Sequence, residues 1–519
     1  MNGAQSLLAT LYANGVEVCF GNPGTSEMHF VAALDSQPGM RGVLGLFEGV
    51  VTGAADGYAR VTGKPAVTLL HLGPGLGNGL ANLHNARRAH VPLINVVGDH
   101  ATYHSRYDAP LESDIASISR AVSGWHRRTA RPDDVAVDAL DALRAAYGPP
   151  GQVATLVLPA DASWGTVTLP ASQLPTATIP MAAAPTADRI QAATRVLRTK
   201  KTALFLGFDA LRVHPLGLAH RVGTATGARV MSETFPTIQD RGAGVFTPDR
   251  QIYLSEFAIS QLSQLEAIVL VGAKTPIGFF GYPDIPSELL PPGCEVVILT
   301  EPGMDSTAAL EALVEEFAAP AVAVASPERP QAPTGELTPL ALAQAVAALL
   351  PEDAIVVDES NTSGLHLYGQ LSGAAPHQLL TLTGGAIGYG LPAALGAALG
   401  GGGRRVLAIE SDGSMMYTPQ ALWSMARENL DVTILALSNR SYAILNLELS
   451  RVGATSEGDA SRQMLDLDNP TLDLCSISRG MGVPAVKVTT ADELVVELAK
   501  SFATSGPTFI EAMLPKGLG

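Results

Sequence analysis

The sequence predicts an α/β protein built from three doubly wound, parallel-sheet domains. Three observations carry that expectation. Short apolar runs of strand length alternate with helix-period segments along the whole chain, the pattern that buries a parallel sheet between helices. Two Pro/Ala-rich stretches, residues 171–190 and 319–335, divide the chain into three parts of similar size. The 519 residues also exceed what one hydrophobic core accommodates.

The elements follow in order. Leu7, Leu8 and Leu11 have helical spacing, and residues 16–20 read as a buried strand that runs into the turn Gly21-Asn-Pro-Gly24. Further strands are expected at 66–71, 93–98 and 155–159, with the first unit (1–170) ending there. The second unit (185–325) has strands at 203–207, 267–272 and 295–300. The third (335–519) has strands at 354–358, 405–410 and 433–438, with a helix over 418–429 before the last of them.

Composition narrows the function. Forty-nine acidic against 33 basic residues give a net charge of −16, and no long basic run interrupts it, which argues against nucleic acid or an anionic membrane as partner. The three cysteines, Cys19, Cys294 and Cys475, lie far apart in no metal-type spacing and suit a reducing cytoplasm. The first residues lack the basic start and apolar core of a signal peptide, and no apolar run approaches the roughly 20 residues of a membrane span. A soluble, cytoplasmic protein is expected.

The chemistry-bearing residues cluster in two units. In the third, the strand 405–410 ends in the turn Ser411-Asp412-Gly413-Ser414, at the sheet edge where parallel α/β sheets bind ligands. Twenty-seven residues after Asp412, the next strand delivers Asn439 to the same edge. A hard cation such as Mg²⁺ takes oxygen ligands, often shared with a diphosphate. The Asp412 carboxylate, the Asn439 amide oxygen and the Ser441 backbone carbonyl would supply half its shell; an Asp-Gly pair is equally a plain turn. In the first unit, Glu48 stands alone among apolar and small residues, a setting in which a carboxyl can share a proton, or in which it simply caps a helix start. His71 follows a strand and has the chemistry of a proton relay or of a satisfied structural histidine. His100 and His104 have helical spacing but no acidic partner to complete a zinc motif, and residues 73–79 do not give the dinucleotide pattern G-x-G-x-x-G.

Taken together, these segments resemble the thiamine-diphosphate-dependent decarboxylase and carboligase family, the group of benzoylformate decarboxylase and the acetolactate synthase large subunit. The turn at Ser411 and the segment Ser438-Asn439-Arg440-Ser441-Tyr442 are similar to the family's diphosphate motif, which normally opens with Gly where this chain has Ser411. Residues 381–396 resemble the stretch that cradles the cofactor, and residues 44–60 the stretch that carries its catalytic glutamate. The resemblance implies thiamine diphosphate and Mg²⁺ as cofactors and a 2-oxo acid as substrate. It makes Asp412, Asn439 and Ser441 the metal ligands and assigns Glu48 to activating the cofactor's pyrimidine. Ile387 becomes the wedge between its two rings, the Gly385 carbonyl a partner of the aminopyrimidine, and Asn78, Asn361, Thr362, Gly413 and Ser414 further cofactor contacts.

The reaction implied is decarboxylation, with the thiazolium ring storing the electron pair, then protonation to an aldehyde or condensation with a second carbonyl. The His71 segment is similar to the one in benzoylformate decarboxylase that presents a histidine to substrate, so an aldehyde-forming decarboxylase with carboligase capability is favoured. Thr25 matches that enzyme's substrate-binding serine, with Ser26 its neighbour. The alternatives are acetolactate-synthase-like condensation and a non-catalytic cofactor-binding homologue. Residues 275–282 lack the decarboxylase's middle-domain histidine and offer Phe279, Phe280 and Tyr282 instead, while Asp99 stands where the synthases have glutamine. The middle unit has no dinucleotide fingerprint, which argues against a flavin. In this family the glutamate of one subunit meets the diphosphate held by another, which implies a homodimer or homotetramer.

Overall fold

The computed structural model describes residues 1–168, 176–325, 327–454 and 458–517. The expected end of the first unit at 170, residues 171–175 of the first Pro/Ala-rich stretch, residue 326 of the second and the last two residues of the third unit lie outside them.

Among the described residues the strands form three sheets. The first has the order β2-β1-β3-β4-β6-β5, all parallel: β1 Val18–Gly21, β2 Arg41–Leu44, β3 Ala66–Leu70, β4 Leu93–Asp99, β5 Trp125–Arg128 and β6 Val153–Pro159. Its central strands are buried on both faces, which is why they read as unbroken apolar runs. The polar interruptions satisfy one another across the sheet. Thr68 on β3 donates to Asn95 on β4 at 2.7 Å, and Asn95 donates to Thr155 on β6 at 3.0 Å.

The second sheet also runs parallel, in the order β10-β8-β7-β11-β12, from β7 Thr202–Leu206, β8 Arg229–Ser232, β10 Asp249–Arg250, β11 Ala267–Val271 and β12 Glu295–Thr300. The third has the order β17-β18-β16-β15-β13-β14-β9. It comprises β13 Ala354–Glu359, β14 His377–Thr381, β15 Val406–Ser411, β16 Val432–Ser438, β17 Ala485–Val488 and β18 Thr508–Met513, in parallel. Its last member, β9 Gln239–Arg241, comes from the chain between β8 and β10 and pairs antiparallel with β14. The sheets therefore do not follow the sequence intervals strictly, because a short edge strand is recruited by pairing rather than by neighbourhood.

One contact sets the relation of the first sheet to the third. The helix Glu48–Thr62 lies beside the helix Gly390–Gly400, backbone nearly against backbone. A Cβ at Gly396 would stand 1.8 Å from the Ala54 carbonyl oxygen, and one at Gly57 would stand 2.0 Å from that of Ala393. Only glycine allows so close an approach. Arg60, buried on the first helix, completes the joint: it pairs with Asp56 through two bonds of 2.7 and 2.8 Å and donates to the Thr381 and Thr237 carbonyls at 2.8 and 3.1 Å. Removing one partner from such a buried pair costs about 3–5 kcal/mol.

Candidate active site

In both the first and third sheets the strand order reverses, and a crevice opens at the carboxyl edge where neighbouring strands send their connections to opposite faces. In the first sheet the reversal falls between β1 and β3; in the third, between β13 and β15.

The β1/β3 crevice holds a histidine–carboxylate pair. His71 directly follows β3, and its Nδ1 stands 2.8 Å from Oε2 of Glu27, which ends the short turn after β1. The Glu27 side chain is 1% exposed and that of His71 is 23% exposed, so the acid is hidden behind the ring that reaches the crevice. Burial pushes the Glu27 carboxyl above the usual carboxylate range, against the opposing pull of His71 and of the Gly24 N–H, which donates to Oε2 at 2.7 Å. A Cβ at position 98, the penultimate residue of β4, would stand 1.7 Å from Glu27 Oε1, so Gly98 makes the room the acid occupies. The sequence reading missed Glu27 and named its neighbours Thr25, which is exposed, and Ser26.

Glu48 opens its helix and is buried; its Oε2 accepts a 3.0 Å bond from Asn78 Nδ2. Asn78 lies on the helix Leu72–Arg88, where Asn82 and Asn85 share its face. Asn82 Nδ2 donates to the Gly49 carbonyl at 2.9 Å and to the Gly388 carbonyl at 3.1 Å. Asn85 donates to the Ala386 carbonyl at 2.8 Å and accepts from the Ala386 N–H at 3.2 Å. This one helix thus stitches the start of the Glu48 helix to the Gly-rich turn. In that turn Gly385 has φ +74°, and a Cβ there would come within 2.7 Å of the Phe279 ring. Ile387 is half-buried and packs on the core shared by the first and third sheets, as do Phe47 and Met416.

Beneath the turn, Glu359 at the end of β13 accepts from the N–H groups of Gly388, Tyr389 and Gly390 at 2.8, 2.9 and 2.6 Å. Burial pushes its carboxyl up to about 7, against those three bonds. Glu410 is its register partner on β15; burial and the Glu359 carboxyl raise it well above the usual range. The sequence reading singled out neither acid.

At the β13/β15 crevice Asp412 directly follows β15. Its Oδ1 accepts from the Gly413 N–H at 2.8 Å and its Oδ2 from the Arg440 N–H at 2.6 Å, the second bond drawing the end of β16 to it. Burial pushes the Asp412 carboxyl up to about 6. Asn439 is buried beside it, with Oδ1 accepting from the Ser441 N–H at 3.0 Å and Nδ2 donating to Ser363 at 3.2 Å. Across the crevice, Asn361 Nδ2 reaches Ser411 Oγ at 2.7 Å and Ser414 Oγ at 2.9 Å; Thr362 follows Asn361 on the same short turn, Asn361–Gly364. Among the described residues no group of three or more His, Cys, Asp or Glu side chains gathers. One carboxylate with amide and carbonyl oxygens is a hard donor set, which fits a divalent cation that also holds a diphosphate better than it fits zinc. The His100 and His104 rings lie 5.3 Å apart in a turn rather than on a helix.

Comparison with known proteins agrees with this geometry. The profile described as "Thiamine pyrophosphate enzyme, N-terminal TPP binding domain" matches residues 1–118, and that described as "Thiamine pyrophosphate enzyme, C-terminal TPP binding domain" matches residues 365–512. The chain belongs to the thiamine pyrophosphate enzymes. It is 55% identical over 524 residues to IlvX of Mycobacterium tuberculosis, provisionally named an acetolactate synthase large subunit, with 100% of both chains covered. It is 31% identical to a benzoylformate decarboxylase of Pseudomonas aeruginosa, over 96% of each. The solved 4-hydroxybenzoylformate decarboxylase of Rhodococcus jostii superposes over 100% of both chains with a TM-score of 0.85 at 24% identity, a likeness of fold. This thiamine pyrophosphate enzyme is thus one of the decarboxylase and acetolactate synthase group, with the three parallel-sheet α/β domains its sequence predicts. Among its described residues no helix is long and apolar enough to cross a membrane.

Proposed function

We propose that the protein decarboxylates a 2-oxo acid to an aldehyde in a thiamine-diphosphate- and Mg²⁺-dependent reaction, with carboligation as a second outcome. The observation that carries this reading is His71 at the crevice, braced by the buried Glu27. Asp412, Asn439 and the Ser441 carbonyl would hold the metal, and Asn361, Thr362, Gly413 and Ser414 the diphosphate, with Asn78 near the pyrimidine end. The bound cofactor supplies a nucleophilic carbon and an electron sink for the departing CO₂.

The chain's own residues do the rest. Glu48, held by Asn78, would exchange a proton with the pyrimidine. The Gly385 carbonyl and the Ile387 side chain would set the ring's orientation from the Gly-rich turn, which Glu359 fixes from below. Glu27 accepts the Nδ1 hydrogen of His71 and so fixes the tautomer, leaving Nε2 to move a proton at the substrate oxygen or carbon. Thr25 or Ser26 binds the substrate carboxylate from the turn after β1. Phe279, Phe280 and Tyr282 wall the pocket; the rings of Phe279 and Phe280 pack edge to face, with centroids 4.9 Å apart.

We assign residues 1–170, 185–325 and 335–519 to the pyrimidine-binding, middle and diphosphate-binding domains, and a homodimer or homotetramer with shared sites to the cytoplasmic enzyme. A second reading is acetolactate-synthase-like condensation. It is favoured by the name of the 55%-identical relative and by the absence of histidine from residues 275–282.

The test is CO₂ release from pyruvate and benzoylformate with and without thiamine diphosphate and Mg²⁺, with product analysis. Cofactor-dependent release yielding aldehyde supports the first reading, and acetolactate from pyruvate the second. Cofactor binding without turnover of any 2-oxo acid points to a silent homologue. Mixing Glu48→Gln with Asp412→Ala subunits restores activity only where sites are shared between chains.

A further inference from the structure

Ser411 is the point at which this chain departs from the glycine that usually opens the diphosphate motif. Its backbone is extended, at φ −82° and ψ 148°, so a side chain sits there without strain. Its hydroxyl accepts from Asn361 Nδ2 at 2.7 Å and donates to Ser414 Oγ at 2.8 Å. Asn361 Nδ2 also lies 2.9 Å from Ser414 Oγ and 3.3 Å from the Glu359 carbonyl oxygen, three acceptors around one NH₂ group. A hydroxyl has one hydrogen and two acceptor positions. Ser414 accepts the Ser411 hydrogen, which leaves its own hydrogen directed away from Ser411. The Ser414 side chain is buried whereas Asn361 is exposed, so the three groups form a short polar wall at the β13/β15 crevice.

We propose that Ser411 is a positioning residue for the diphosphate. Its O–H fills an acceptor position of Ser414 and thereby holds the Ser414 hydrogen outward as a donor to a phosphate oxygen. Bonds linked in this way polarise one another, and a donor aimed at an anion is worth more than one between neutral groups. Without the Ser411 hydrogen, the Ser414 hydroxyl loses that partner and is free to rotate, so its hydrogen is no longer held toward the anion. This inference rests on the reading of the crevice as a diphosphate site.

The experiment is a double-mutant cycle read by calorimetry rather than by turnover: dissociation constants for thiamine diphosphate with Mg²⁺, and for Mg²⁺-pyrophosphate alone, on the wild type, Ser411→Ala, Ser414→Ala and the double variant. Ser411→Ala is expected to weaken both ligands about 5- to 10-fold, and the double variant to bind no more weakly than Ser414→Ala, because Ser411 acts through Ser414. Ser411→Thr, which keeps the hydroxyl, restores binding, and Ser411→Gly, the usual residue of the motif, behaves as Ser411→Ala. Unchanged binding in Ser411→Ala, or losses that multiply in the double variant, overturns the proposal while leaving the diphosphate site standing. No binding by the wild type overturns both.

Discussion

The first and third sheets are built on one plan and carry opposite chemistry. In each, the first strand (β1, β13) lies between the second (β2, β14) and the third (β3, β15), and the second strand leads to the helix that packs against its counterpart from the other sheet. Corresponding connections supply the functional residues. After the first strand comes Glu27 in one sheet and Asn361 in the other; after the second, Glu48 and Ile387; directly after the third, His71 and Asp412. On the proposed assignment, one crevice gathers groups that would exchange protons. The other gathers fixed oxygens and amides that would hold an anion and a cation. The middle sheet shows what the same plan becomes when it is closed: after β7, Asp209 accepts from Ser306 Oγ and N–H at 2.7 and 3.0 Å, so the carboxylate is spent inside the protein. Topology places the crevices, and the residues after three strands decide what each does.

That contrast can be broken one residue at a time. Glu48→Gln should lower kcat by about 10²- to 10⁴-fold, the range of general acid–base contributions, while calorimetry finds cofactor affinity nearly unchanged. Equal losses in both quantities would show that the first crevice also anchors. Asp412→Ala should do the reverse, weakening Mg²⁺-dependent cofactor binding about 100-fold, with Mg²⁺ removal by a chelator giving the same loss in the wild type. Gly98→Ala forces Glu27 off His71 and should reduce kcat about 10-fold or more with cofactor affinity retained; a variant as active as the wild type would deny the pair its role.

The smallest effect concerns stability. The Glu27 carboxyl is raised in the folded protein by burial, so the native state holds its proton more tightly than the unfolded chain does. Its stabilising contribution is present below the ordinary carboxylate range and is lost as pH rises through the raised value. Glu27→Gln should flatten the fall in melting temperature over that window, and an identical pH profile would rule the linkage out.

Much of this was legible in the chain, for identifiable reasons. Glu48, Asp412, Asn439 and Ile387 sit in contiguous motifs whose spacing reflects one strand, one turn and one helix, so local sequence reports them. Strands β3, β4, β6, β7, β11, β13, β15 and β16 were readable because burial keeps them almost wholly apolar, whereas β8, β14 and β18, also inside their sheets, were not among the strands expected. Strand β9 and the edge strands β10 and β17 were not, being short and defined by a partner far away in sequence. Glu27 was hidden because an acid closing a turn looks like solvated turn chemistry, and its partner His71 is 44 residues away. A signal for Asn82 and Asn85 did exist: Asn78, Asn82 and Asn85 recur at four and three residues, one amide stripe on a helix whose other residues up to Leu83 are apolar or glycine.

The stitching of the Gly-rich turn by that stripe has a consequence for how the enzyme tolerates change. Asn82 holds the backbone beside Glu48 and the backbone beside Ile387 with the same amide group. In the proposed site the proton-exchanging acid and the ring wedge would therefore share one hinge pin, and neither could be shifted to suit a new substrate without shifting the other. Phe279 and Phe280, on the loop after β11, take no part in those bonds; Phe279 faces Gly385 of the turn, and the two residues are 43% and 54% exposed. If these rings wall the pocket as proposed, engineering for a different 2-oxo acid has most latitude at Phe280, the more exposed of the two.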